Sequence, residues 1–209
     1  MRAWMPRAAA ALVAIICWAA LEIRLEETFA DNGNLLGSAW ILLRFFTILT
    51  NLAVAVAMTM VAFGKQLSDG VLGGLALTML LVGIVYATLL AHLYHLTGWE
   101  RVADDLMHKV APVAMTLYWL AVPPHGGLRW IEPLRWSIYP IIYLIYALVR
   151  GAADGIYPYP FLDVGEIGIA QTLLNSAGIA VAFLLAGFGL VWLDRRVLGR
   201  ARLVAKAPR

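Results

Sequence analysis

The chain has 209 residues, 62% of them hydrophobic and 14% charged, with a mean hydropathy of +0.80 and a formal net charge of +3. Soluble domains are roughly half apolar and a quarter charged, so this composition excludes a soluble catalytic domain and defines an integral membrane protein. The single cysteine, Cys17, excludes an intrachain disulfide and, alone, a cysteine metal cluster.

A spanning helix needs about 20 residues at ~1.5 Å rise each. Apolar runs predict six such helices, near 6–28, 38–63, 71–96, 105–123, 134–152 and 166–193. Short connectors make this an all-α, polytopic membrane protein with one domain, 1–209, and a bundle of six transmembrane helices. No internal repeat of the kind found in transporters is visible. Arg2 and Arg7 ahead of the apolar run 8–20 look like a signal peptide, but the run reads on to Leu21 and Ile23, which favours an uncleaved first helix.

Charge sets the orientation. With the amino terminus inside, the inner segments hold Arg2, Arg7, Lys65, Arg129, Arg135, Arg195, Arg196, Arg200, Arg202, Lys206 and Arg209, most of the sixteen basic residues. Short basic loops stay cytoplasmic, so both termini are expected inside, in a multi-pass protein of the inner (plasma) membrane. Glu22, Glu26, Glu27, Asp31, Glu100, Asp104, Asp105, Asp154, Asp163 and Glu166 fall towards the outer face. The basic cytoplasmic tail, 195–209, reads as a topology signal touching anionic headgroups, not as a nucleic-acid patch.

The second span carries Arg44, Thr47 and Asn51 at i, i+3 and i+7, one face of a helix, with Thr50 alongside. On a straight helix Thr47 lies roughly 13 Å below the outer end. An arginine and an asparagine at that depth need partners or a polar cavity. Thr47 and Thr50 could equally bond carbonyls of the preceding turn. The third span ends with Thr88, His92 and His95, and the fourth carries His108 about a turn from its start. Asp104 and Asp105 precede His108 by four and three residues, within reach to orient an imidazole that works as a base near neutral pH. Pro112 loosens the helix a turn later. For His92 and His95 an interfacial position at the helix end is the simpler reading.

The fifth span presents a stripe, Tyr139, Tyr143, Tyr146 and Arg150, at i, i+4, i+7 and i+11. The tyrosines suit packing or interfacial anchoring. Arg150 suits either a bidentate carboxylate clamp or a snorkelling cation. On the sixth span Gln171 and Asn175 suit helix–helix hydrogen bonding. The connector 155–163, with Tyr157, Pro158, Tyr159, Pro160 and Phe161, is rigid and aromatic, a lid or an ordinary structured loop.

Three segments together carry a resemblance: 45–52, Phe-Phe-Thr-Ile-Leu-Thr-Asn-Leu; His108 followed closely by Pro112; and 159–163, Tyr-Pro-Phe-Leu-Asp. In these motifs and their order the chain resembles the androgen-induced-protein family of six-helix membrane proteins, including its bacterial integral-membrane branch. Animal members are threonine hydrolases that cleave fatty acid esters of hydroxy fatty acids with one threonine and one histidine. The resemblance implies Thr47 as nucleophile, following Arg44-Phe45-Phe46, and His108 as base. Pro112 follows that histidine one residue sooner than in animal members, and Thr50 stands as an alternative nucleophile.

The mechanism so implied needs no cofactor and takes a membrane lipid ester as substrate. Asp104 or Asp105 orients the ring. Asn51, Tyr86 or Tyr143 donates to the oxyanion. Arg44 or Arg150 holds a free carboxylate, with Tyr139, Tyr146, Tyr159 and Phe161 as further substrate-binding residues. On straight helices Thr47 and His108 are offset axially by roughly 7 Å, so tilt or helix offset must bring them together. Two rivals stand beside it. One is a metal-dependent hydrolase holding zinc on His92, His95 and His108; the other is a non-enzymatic lipid-binding or transport protein. No nucleic-acid partner is expected, and homo-oligomerisation is left open.

Overall fold

The computed structural model describes residues 4–93 and 95–198. Among these residues the protein is all-α, without strands. Its helices are α1 Trp4–Asn32, α2 Leu35–Leu42, α3 Phe46–Ala62, α4 Asp69–Val85, α5 Gly98–Asp105, α6 Ala111–Ala121, α7 Glu132–Trp136, α8 Ile138–Asp154 and α9 Val164–Trp192. Three of these run into single π-helical turns: α4 into Tyr86–Leu90, α5 into Leu106–Val110, and α9 into Leu193–Leu198. Arg2 and the tail beyond Leu198, with Arg200, Arg202, Lys206 and Arg209, lie outside the described residues.

Among the described residues, four helical stretches are long and apolar enough to cross a membrane: Trp4–Asn32, Asp69–Leu90, Glu132–Asp154 and Val164–Leu198. The broken pair Leu35–Leu42 and Phe46–Ala62 makes a fifth if counted as one span. The chain is a multi-pass membrane protein on these grounds. The second stretch differs from the straight helix expected over 38–63: it bends by 101° at the break. Phe45 there has extended backbone (φ −92°, ψ 132°). The stretch expected as the fourth span, 105–123, is not among the apolar ones, because the helical run 98–121 carries Glu100, Arg101, Asp104, Asp105 and Lys109.

The described chain forms two compact units that divide after Pro124. In the first, α1 packs along α3 and α4 along α6. The buried face of α1 is made of small residues, Ala10, Val13, Ala14, Cys17 and Ala20. Small side chains let helices approach closely, which is the main source of packing energy where lipid replaces water. The facing residues Val54, Ala55 and Met58 of α3 are fully buried, and Trp18 Nε1 donates to Thr59 Oγ1 at 3.1 Å. A second cluster, Ala20, Leu42, Ile48, Ala103 and Met107, joins α1, α2, α3 and α5. Ile48 and Met107 are the chain neighbours of Thr47 and His108, so the apolar cluster brings the two polar residues to one place.

The second unit contains α7, α8 and α9. Asp163 caps α9, accepting from the backbone N–H groups of Gly165 and Glu166 at 3.0 and 3.2 Å. Gly168 interrupts that helix with φ 75° and ψ 157°, a conformation that costs any residue with a Cβ. The connector 155–163 is fastened to its own unit. Tyr157 lies against Gly151 so closely that a Cβ there would meet the ring at 2.3 Å, Leu162 is buried, and Asn175 Nδ2 donates to the Phe161 carbonyl at 3.1 Å. Large apolar side chains on α8 and α9, among them Ile142, Ile145, Val149, Leu174 and Leu185, are exposed, as lipid-facing residues are.

Candidate active site

The break before α3 places Thr47 in that helix's first turn, not two turns down a straight one as expected. Phe46 begins the helix and Leu49 N–H closes the first bond to the Phe45 carbonyl at 3.2 Å. Thr47 is buried, and its Oγ1 lies 3.2 Å from His108 Nε2. Thr59, Thr78 and Thr88 bond the carbonyl four residues back, and the Thr47 hydroxyl reaches a side chain from another helix. The break puts Thr47 at the start of its helix, and the axial offset expected for straight helices does not separate it from His108.

The other ring nitrogen is held from below. His108 Nδ1 lies 2.9 Å from Asp104 Oδ1 and 3.1 Å from the Asp104 carbonyl. Both partners are acceptors, so the neutral imidazole carries its proton on Nδ1 and presents a lone pair at Nε2. The Thr47 hydroxyl is therefore the donor in the Thr47–His108 bond. Asp104 and Asp105 were equivalent candidates by spacing, and the structure separates them. Asp105 turns outward, bonding Arg101 Nε at 2.9 Å and Lys109 Nζ.

Tyr86 closes the arrangement. Its ring stacks on His108 with centroids 4.2 Å apart and planes 14° apart, and its hydroxyl donates to Asp104 Oδ2. That engagement corrects its expected use as an oxyanion donor. Asn51 is likewise engaged: Nδ2 donates to the Thr47 carbonyl at 2.9 Å, while its buried Oδ1 meets no donor among the described residues. Thr50 is buried on the same helix, and Arg44 is buried in the break three residues before Thr47. Tyr86 and His108 both sit in π-helical turns, Tyr86–Leu90 and Leu106–Val110. A π turn adds a residue to the helical repeat and redirects the side chains around it, and such turns concentrate at functional sites.

The three-histidine alternative is not assembled. Among the described residues no group of three His, Cys, Asp or Glu side chains is placed to hold a metal ion. The helix carrying Tyr86 ends at Leu90, so His92 and His95 fall in the exposed segment after it and not in a last helical turn.

The remaining expected residues belong to the second unit. Arg150 is buried, donates to Tyr146 Oη at 2.7 Å and has Nε 3.7 Å from Asp154. Tyr143 is buried with its ring centroid 6.2 Å from that of Tyr146, Tyr139 is half-buried, and Tyr159 stacks on Phe161 at 5.2 Å. Sequence reasoning missed one further polar centre, in which buried Asp194 accepts from Gly126 and Leu128 N–H at 2.9 and 3.0 Å. His125 Nδ1 lies 3.0 Å from the same carboxylate. The partners are 66–69 residues apart, so no local spacing announces them.

Comparisons with known protein families, with curated proteins and with solved structures find no match for this chain.

Proposed function

We propose that this protein is an intramembrane lipid ester hydrolase in which Thr47 is the nucleophile, His108 the general base and Asp104 the group that orients it. The observation that carries the reading is the 3.2 Å approach of Thr47 Oγ1 to His108 Nε2 on a ring whose Nδ1 is held by Asp104. This is the order of groups that activates a hydroxyl: nucleophile, base, orienter.

Thr47 Oγ attacks the ester carbonyl while its proton passes to His108 Nε2. The tetrahedral intermediate collapses, and the departing alkoxide takes that proton and leaves as the alcohol. Water, deprotonated by His108, then cleaves the acyl–Thr47 ester, releasing the acid and restoring the hydroxyl. The positive end of the 17-residue α3 favours negative charge developing beside its first turn. Buried Arg44, just before that turn, adds positive charge suited to a substrate carboxylate. Esters joining two fatty chains, including those of hydroxy fatty acids, partition into lipid and suit a site in a protein built of apolar helices. The family resemblance supports the same substrate class. The reading is completed by six crossings, with 98–121 as the fourth, both termini cytoplasmic and the inner (plasma) membrane as the location.

The test is a fluorophosphonate probe on the full chain in detergent micelles. Wild-type protein is labelled; Thr47→Ala and His108→Ala lose the label, and Thr50→Ala keeps it. An unlabelled wild type, or a Thr47→Ala protein labelled as fast as wild type, removes the hydrolase reading.

A further inference from the structure

We infer that Tyr86 is a positioning residue for the Thr47–His108 pair, acting through Asp104 and through the face of the imidazole. The kinetic part of this inference rests on the hydrolase reading above; the positioning itself does not.

An imidazole bonded only through Nδ1 can still swing about that bond, carrying Nε2 away from its target. Here the swing is opposed from the side, because the Tyr86 ring lies 4.2 Å away and nearly parallel. A carboxylate bonded through one oxygen can likewise rotate. Asp104 presents Oδ1 to His108, and its Oδ2 is taken by the Tyr86 hydroxyl. One side chain thus restrains both the plane of the base and the carboxylate that orients it. It does so from a different helix, 18 residues before Asp104, so the restraint is tertiary and survives only while the two π turns face each other. Tyr86 is itself 6% exposed and its hydroxyl has been brought into a buried site, where a polar group needs a partner. Simple packing would use the ring alone. The hydroxyl's bond to the one carboxylate that holds the base separates the two roles, and Tyr86→Phe keeps the ring while deleting that bond.

The experiment compares fluorophosphonate labelling rates of wild type, Tyr86→Phe, Asp104→Asn and the double variant. A group acting through Asp104 gives Tyr86→Phe a loss of about tenfold and Asp104→Asn a loss of about a hundredfold. The double variant is then no slower than Asp104→Asn alone, because the two changes remove one restraint. Losses that multiply in the double variant, or a Tyr86→Phe protein as fast as wild type, overturn the inference. A second measurement does not depend on activity. Nitrogen-15 histidine spectra of the full chain in micelles report the His108 tautomer, with the proton on Nδ1 in wild type and a mixture of tautomers in Tyr86→Phe. Unlabelled wild type with this spectral change rejects the hydrolase reading and keeps the positioning role; an unchanged spectrum rejects the positioning role whatever the labelling does.

Discussion

At the scale of single residues, the decisive fact is which atoms face which nitrogen of His108. Two acceptors at Nδ1 fix a proton there, and in the neutral ring that leaves the Nε2 lone pair aimed at Thr47. Asp104→Asn turns the amide nitrogen or oxygen to Nδ1 without fixing the tautomer. It slows labelling by about a hundredfold while melting and detergent elution stay near those of wild type. Loss of folding in place of loss of labelling would make Asp104 a structural residue. The same accounting applies to Asp194, whose carboxylate serves His125 and two backbone N–H groups. Asp194→Ala leaves those donors without their acceptor and costs about 1–3 kcal/mol, read as a lower melting temperature with labelling per folded molecule retained.

At the scale of elements, the site depends on where helices stop being regular. Gly83 of α4 lies where an added Cβ would stand 3.1 Å from Pro112 Cβ and 3.3 Å from the His108 carbonyl. Gly83→Val overfills this contact and pushes on the π turn that carries the base; it costs about 1–3 kcal/mol by thermal melting and slows labelling at Thr47. Labelling unchanged in Gly83→Val would mean that the base is not seated by that contact. Four of the six expected spans were legible as long helices, because apolar runs of some 20 residues have few alternatives. Spacing and resemblance put Thr47, His108 and two aspartates among the candidates, and the structure brings Thr47, His108 and Asp104 together. The break at 43–45 was not: Leu43, Arg44 and Phe45 include no glycine or proline, and every neighbour suits a helix. Nor were the π turns, since one extra residue in a helical repeat leaves no periodic signature in so apolar a segment. The expectation of a 7 Å offset failed for that reason. Tyr86 was singled out for the wrong bond, since sequence places it near the site but cannot say which oxygen its hydroxyl will find.

At the scale of the whole molecule, one helical run decides the topology. Among the described residues five stretches qualify as spans by length and apolarity when the bent pair is counted once, and an odd number of crossings would put the two termini on opposite sides of a membrane. Six put them together, and the sixth must be 98–121, which carries five charged residues in its first twelve positions. Those charges are not scattered. Arg101, Asp105 and Lys109 pair with one another along one face, and Asp104 is spent on His108 and Tyr86. Paired charges near one end of a helix cost far less in a bilayer than isolated ones at its centre. The later part, α6, is apolar, and Leu117 and Leu120 on it are exposed as for lipid. On these grounds we propose that the run crosses, and single-cysteine labelling tests it. Cys17 is the only native cysteine and is fully buried, so it gives little background. Thr97→Cys and Gly127→Cys place thiols at exposed positions on either side of the run. In intact cells a membrane-impermeant maleimide labels the first and not the second; after lysis it labels both. Equal labelling of the two in intact cells would leave 98–121 on one side of the membrane, and the base that meets Thr47 would then belong to a surface helix.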